Sequence, residues 1–167
     1  PHPISRNKMG KISPPFSGDN IMLRAKQLTL ADLEFNAMTN KEYITPEQSM
    51  KGCAPAEVKN FCNAVKEMRK IADGAWGWCN VSVTGVLKGD IKFNDVEYLG
   101  CCSYKSKADF MAPGGYYEDM CKAILFNVQK QLDHHVALIN ESISRGTLEL
   151  VGPLELGRTH AVSSSGQ

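Results

Sequence analysis

The chain of 167 residues lacks the signatures of several protein classes. No apolar run approaches the roughly 18 residues that span a membrane, and no signal-like segment opens the chain. There is no Cys-x-x-Cys pair, so the usual zinc spacing is absent. Neither G-x-x-x-x-G-K nor G-x-G-x-x-G occurs, which removes the common phosphate-binding loops. We expect no membrane span, no cofactor and no metal, and no motif indicates an enzyme.

The composition is that of an ordinary globular protein. Hydrophobic residues make up 43% and charged residues 22% of the chain. Its length fits a single domain that is large enough to bury a core without metals or disulfides. Residues 1–20 contain four prolines and two glycines and predict an extended basic arm. Residues 21–152 predict one α+β domain, and residues 153–167 a polar tail.

Two segments have the three-and-four spacing of apolar residues that marks an amphipathic helix. The segment 54–73 begins near a proline and stops before Gly74, and the segment 116–144 follows a glycine pair. The stretch at about 76–104 instead alternates in period two and contains turn signals, which predicts a three-stranded antiparallel meander. The predicted fold class is therefore α+β, a meander packed by two helices. In the last strand, period two is expected for Val96, Tyr98, Cys102 and Tyr104.

The remaining segments of the domain have weaker patterns. Residues 21–30 predict an edge strand, because several of their side chains are too polar for a central one. A short helical or irregular stretch follows through Lys51. Within it, Thr45-Pro46-Glu47 resembles a helix start, with a capping threonine followed by proline at the first helical position.

The predicted helix at 116–144 is longer than the sheet it would cover. It runs roughly 40 Å, whereas a strand of five residues covers less than half of that length. Most of its apolar row is expected in the core, and part of the row is expected to meet another subunit. A further contact surface is expected at an exposed edge with Trp76 and Trp78. The candidate assembly face consists of Tyr117, Ile124, Val128, Leu132, Val136 and Ile139.

The cysteines are clustered in the middle of the chain. They either staple a secreted protein or are buried thiols in a cytosolic one. If they form three bridges, the sequence does not choose among the connectivities. Two glycosylation acceptors, Asn80 and Asn140, are consistent with secretion. The candidate disulfide cysteines are Cys53, Cys62, Cys79, Cys101, Cys102 and Cys121.

A cysteine nucleophile is the remaining catalytic candidate. Cys121 lies near the start of the long predicted helix, where the helix dipole lowers the pKa of a thiol. His135 lies about 20 Å farther along the same helix, so the two cannot meet within it. A base would then have to come from His2 or His160 near the ends of the chain.

Basic residues near the N-terminus form the clearest interaction feature. In an extended segment they can lie along a phosphate backbone and bind it in a salt-dependent way, so nucleic acid is a candidate partner. The alternative is a solvated arm, or an arm that reaches onto a neighbouring subunit. The candidate contacts to a partner or to phosphate groups are Arg6, Lys8, Lys11, Arg24 and Lys26.

Arms and a long amphipathic helix are typical of proteins that assemble. We therefore expect a non-catalytic structural or interaction protein that forms a homo-oligomer or binds a macromolecular partner. Pro1 fits initiator-methionine removal or ribosome skipping, and Gln167 fits cleavage by a viral protease. A viral polyprotein or capsid-type product, intracellular or in a virion, is one form of this hypothesis. The alternatives are a secreted disulfide-bonded glycoprotein that acts as a binding module and a cysteine-dependent hydrolase.

Overall fold

The computed structural model describes residues 22–149. The predicted arm at 1–20 and the polar tail at 153–167 lie outside this range. Three of the candidate phosphate contacts, Arg6, Lys8 and Lys11, lie outside it with the arm.

The centre of the fold is a sheet of three antiparallel strands. These are β1 (Leu33–Asn40), β2 (Cys79–Leu87) and β3 (Asn94–Cys102), in the spatial order β1-β2-β3. The central strand β2 shows a regular alternation of buried and half-buried residues. The prediction of an α+β fold with a three-stranded antiparallel sheet is confirmed.

One of the three strands lies elsewhere than the sequence indicated. The stretch 76–104 contributes two strands, and Ile91 and Phe93 lie in the connection between them. The third strand, β1, lies in the region predicted as helical or irregular. Its inward row of Leu33, Phe35, Ala37 and Thr39 does alternate. Alanine and asparagine at neighbouring positions have low strand propensity, which weakens that signal.

Four α-helices lie in the described residues, and the two long ones agree closely with their sequence patterns. They are α1 (Pro46–Ser49), α2 (Pro55–Ile71), α3 (Lys107–Phe110) and α4 (Tyr116–Ser144). In α1 the predicted start is confirmed, because the Thr45 hydroxyl accepts a hydrogen bond from the N–H of Gln48 at 3.2 Å. The segment 21–30 is not a strand from residue 22 onward. It runs extended without a ladder and ends in a short 3-10 turn.

The core lies between one face of the sheet and α4. Gly85 in β2 brings the helix close, since a Cβ there would lie 2.5 Å from Cγ2 of Ile124. At the edge of the sheet, Asp95 of β3 faces the helix and accepts a hydrogen bond from Asn127 at 2.7 Å. Such an inward carboxylate discourages pairing of the free edge with another strand. The core residues are Leu28, Leu33, Ala37, Trp76, Cys79, Val81, Val83, Cys102, Phe110, Met120, Cys121, Ile124 and Val128.

A bulge near the end of β3 changes which side chains face the core. Two residues, Gly100 and Cys101, lie opposite Asn80, and Cys101 has a φ of 56°. Tyr98 is exposed on the open face of the sheet, whereas Cys102 is buried in the core. The expected period of two from Val96 to Tyr104 is therefore interrupted, because the extra residue reverses the alternation.

Candidate functional site

Two side-chain amides of α4 hold the chain that precedes β1. We call residues 22–28 the strap. Asn140 accepts a hydrogen bond from the N–H of Leu23 at 2.9 Å and donates one to the carbonyl oxygen of Leu23, also at 2.9 Å. Gln129 accepts from the N–H of Leu28 at 2.7 Å and donates to the carbonyl oxygen of Lys26 at 3.2 Å. An extended chain is thus bound to a helix through its backbone.

The spacing of these contacts explains the fit between strap and helix. Leu23 and Leu28 are five residues apart, which is about 16 Å in an extended chain. Gln129 and Asn140 are eleven residues apart, which is about 16 Å along a helix and close to three turns. Both amides therefore lie on one side of α4 at the separation that the strap requires. Neither amide was predicted as a contact, although their spacing is visible in the sequence.

The second half of α4 is less enclosed than the first. The buried residues of the helix end at Val128. We call Gln129–Ser144 the distal segment, and each of its residues is exposed or half-buried. It is about 24 Å long. Its apolar row runs beside the strap, and one further leucine, Leu138, is 48% exposed. The half-buried row is Leu132, Val136, Ile139 and Ile143.

The candidate assembly face is divided between the core and this distal segment. Ile124 and Val128 are fully buried against the sheet of the same chain. Tyr117 and Leu132 pack at the border of that core. Val136 and Ile139 are half-buried in the distal segment. The accessible part of the face therefore begins at about Leu132.

The expected exposed tryptophan edge was wrong. Trp76 is buried and packs on Phe110, with ring centroids 5.7 Å apart. The short turn Gly74–Gly77 folds this side chain into the core. Trp78 is half-buried and donates its indole N–H to the carbonyl oxygen of Ile44 at 2.9 Å.

The six cysteines all lie among the described residues and are free thiols. Burial is the largest of the causes that raise the pKa of Cys79 to about 11 and that of Cys102 to about 12. Burial also raises the pKa of the Cys62, Cys101 and Cys121 thiols. A nucleophilic cysteine requires the opposite shift. These five side chains therefore lack the electrostatics of a catalytic thiolate.

Cys121 and His135 lie in different parts of α4. Cys121 is buried near the start of the helix and interacts with the phenol of Tyr117. The ring of His135 packs edge-on against Phe93, with centroids 5.5 Å apart. About 21 Å of helix separates the two residues, so they do not form a nucleophile and base pair. His2 and His160 lie outside the described residues.

A cleft of about 560 Å³ lies between the β1–α1 connection and α2. Glu42 at its border accepts hydrogen bonds from the N–H groups of Cys101 at 2.8 Å and Ile44 at 2.9 Å. These bonds hold the pKa of Glu42 below its ordinary value, and the bond from Cys101 contributes most. Glu42 therefore fixes the bulge of β3 and is not placed as a base. Cys62 and Arg69 also line the cleft, which carries charges of both signs.

The remaining candidate residues are distributed over the surface. Arg24 and Lys26 are exposed on the strap, and the Lys26 ammonium lies 2.6 Å from the carboxylate of Asp32. Asn80 is half-buried beside the bulge. The amide of Asn140 is engaged with the strap, so a glycan on its nitrogen would remove the hydrogen bond to Leu23.

Comparisons with known proteins add no functional information. Protein-family models, curated proteins and solved structures yield no match to this chain. Within residues 22–149, no cluster of three or more histidine, cysteine or acidic side chains could hold a metal ion. In the same residues, no helix combines the length and the apolar character that a membrane crossing requires.

Proposed function

We propose that this chain is a non-catalytic structural or interaction protein that self-assembles through the distal segment of α4. One observation carries the proposal: the apolar row of α4 continues for about 24 Å past its last buried residue, Val128. The strap lies beside this row and is held to the helix by Gln129 and Asn140. A second copy of the same helix is the partner that we propose for this row.

The size of the distal segment sets an expectation for affinity. A helix of this length that packs along one side buries well under the roughly 800 Å² per partner of a standard interface. Contacts through one such segment should therefore be weak, with a dissociation constant in the micromolar range or above. Association should rise with concentration, as in a building block with several weak contacts.

The proposal also covers the location of the protein and its partners. A capsid-type building block is one form of it, and another is a protein that binds a different macromolecule with the same row. Free thiols are typical of a reducing compartment, so we propose an intracellular or virion location. The exposed Arg24 leaves nucleic acid as a further candidate partner.

The proposal is tested by measuring the molar mass of the full chain as a function of concentration. Sedimentation equilibrium of the wild type should show reversible association in the micromolar to millimolar range. Ile139→Asp puts a charge into the half-buried row and should weaken association at least tenfold. Ala137→Asp is the matched control, because Ala137 is exposed and lies about 200° around the helix from Ile139.

Circular dichroism separates lost association from lost folding. Ile139→Asp should keep the helical spectrum of the wild type at low concentration. A wild-type chain that stays monomeric throughout the concentration range would overturn the proposal. Equal effects of Ile139→Asp and Ala137→Asp would place any association elsewhere on the molecule.

A further inference from the structure

The sheet register places two cysteines directly opposite each other. Cys79 is the first residue of β2 and Cys102 is the last residue of β3, and they are Cα partners in the antiparallel ladder. Both side chains face the core, where they are 1% and 6% exposed. Of the six cysteines, these two are the pair that the sheet register brings face to face.

The geometry of such a pair is close to that of a disulfide. Directly opposed residues in an antiparallel pair have Cα atoms about 4.5–5.5 Å apart and Cβ atoms about 4.5–5.5 Å apart. A disulfide requires Cα atoms about 4.4–6.8 Å apart and Cβ atoms about 3.5–4.5 Å apart. The two strands need to approach by no more than about 1 Å.

Hydrogen bonds beyond the strand ends keep the two segments of the chain together. The N–H of Tyr104 donates to the carbonyl oxygen of Trp76 at 2.9 Å. The Ser103 hydroxyl donates to the carbonyl oxygen of Gly77 at 2.8 Å. Cys79 and Cys102 thus lie between the regular ladder and a second set of hydrogen bonds that join the same two segments. Their separation is defined on both sides.

The neighbouring Cys101 is directed to a different partner. The bulge gives it a φ of 56°, and its N–H donates to the carboxylate of Glu42 at 2.8 Å. The Cys102 thiol instead donates to the carbonyl oxygen of Leu99 at 3.0 Å. The bulge therefore separates two adjacent thiols and leaves Cys102 to face Cys79.

We propose that Cys79 and Cys102 of the folded chain are oxidised to one disulfide when it meets a small-molecule disulfide such as oxidised glutathione. One cysteine thiolate attacks the reagent, forms a mixed disulfide and releases one molecule of glutathione. The second cysteine then attacks the protein sulfur of the mixed disulfide and releases the second molecule. Two protein thiols are oxidised to one disulfide, and one glutathione disulfide is reduced to two thiols.

The burial of the pair sets the conditions for this reaction. Thiols whose pKa values are about 11 and about 12 are almost wholly protonated at neutral pH. The reagent must also reach them, which requires the strand ends to open. Closure should therefore be slow in the native protein, over hours rather than minutes, and faster at pH 8.5 than at pH 7.

The test uses a variant of the full chain that retains only this pair. Cys53, Cys62 and Cys101 are replaced by serine and Cys121 by alanine. A second variant carries the further change Cys102→Ala and is the matched control. Both are incubated with oxidised glutathione in the native state, then alkylated under denaturing conditions and mapped by mass spectrometry.

The expected product has lost two hydrogen atoms and contains a cross-link from Cys79 to Cys102. Its unfolding midpoint should rise by roughly 10 °C, because the cross-link closes a loop of about two dozen residues. The control should show neither change. Wild-type protein under the same conditions should contain the same cross-link, which tests the pair without the substitutions.

Three outcomes would overturn the inference. The first is native wild-type protein whose cross-links join other cysteines and leave Cys79 free. The second is recovery of both thiols free, or capped separately by glutathione, after prolonged incubation at pH 8.5. The third is a cross-linked product whose unfolding midpoint is lower than that of the reduced protein. None of these depends on the oligomeric state, so the result is independent of the proposed function.

Discussion

Asn140 and Leu23 are 117 positions apart in the chain, yet the side-chain amide of one pairs with both backbone groups of the other at 2.9 Å. The side-chain amide of Asn140 thereby replaces a peptide group of a neighbouring strand, because it both accepts from and donates to the backbone of the strap. Because the amide contacts only backbone atoms, the position of Leu23 depends on the register of the strap and not on its side chains. This contact ties the chain before β1 to the end of α4.

Replacing Asn140 by alanine should release the first part of the strap. Two hydrogen bonds are lost, worth about 1 kcal/mol each or less at an exposed site. Alanine is also the better helix former, so the global free energy of unfolding should change little. A local measurement is therefore needed: trypsin should cleave after Arg24 several times faster in Asn140→Ala. Asn60→Ala, an exposed change on α2, should leave that rate unaltered.

Gly85→Ala should destabilise the fold through the contact between the sheet and α4. A Cβ at this position would lie 2.5 Å from Cγ2 of Ile124 and 2.9 Å from Cε1 of Phe35. We expect a loss of about 1–3 kcal/mol in urea unfolding. Gly115→Ala is the control, since its Cβ would lie 3.5 Å from the nearest backbone oxygen. Similar stabilities of the two variants would contradict the close packing described for Gly85.

Glu42→Gln should reduce stability at neutral pH and not in acid. The pKa of Glu42 is lowered from 4.5, chiefly by the N–H of Cys101. A carboxyl group whose pKa falls on folding stabilises the protein above its unfolded pKa. That contribution disappears as the pH drops through the lowered folded value. Urea unfolding of both proteins should differ at pH 7 and converge as the pH falls below 4.5.

The thiols should differ in their rates of alkylation in the native protein. Cys53 is exposed and should react first with iodoacetamide. Cys79 and Cys102, with pKa values raised to about 11 and about 12, should react at least tenfold more slowly. In denaturant all six rates should converge. Rapid reaction of Cys121 alone would instead favour the cysteine-dependent hydrolase.

The sequence predicted the elements that depend on short-range interactions and missed a strand that depends on pairing with a distant segment. The helix predicted at 116–144 is Tyr116–Ser144, and that predicted at 54–73 is Pro55–Ile71. Both depend on residues three or four positions apart and on nearby proline and glycine. The strand β1 was missed because its pattern is weak alone and its partner, β2, begins about 40 residues later.

The candidate assembly face shows the same difference between local and long-range information. The sequence could indicate that the apolar row of α4 was too long for a small sheet, because helix length follows from residue count. It could not show which part of the row is covered by the sheet. Ile124 and Val128 are core residues and Val136 is not, because the sheet packs only against the first half of the helix.

The sequence by itself determined the α+β class, the two long helices and the capped start of α1. Local periodicity and local hydrogen bonding specify these features. Tertiary structure alone decided the burial of Trp76, the attachment of the strap to Asn140, and the position of Cys79 opposite Cys102 in the sheet. Each of these depends on which distant segments meet, and a single bulge at Cys101 changes the facing of its neighbours. The free energy that selects such contacts comes from packing across the whole core, which no local pattern contains.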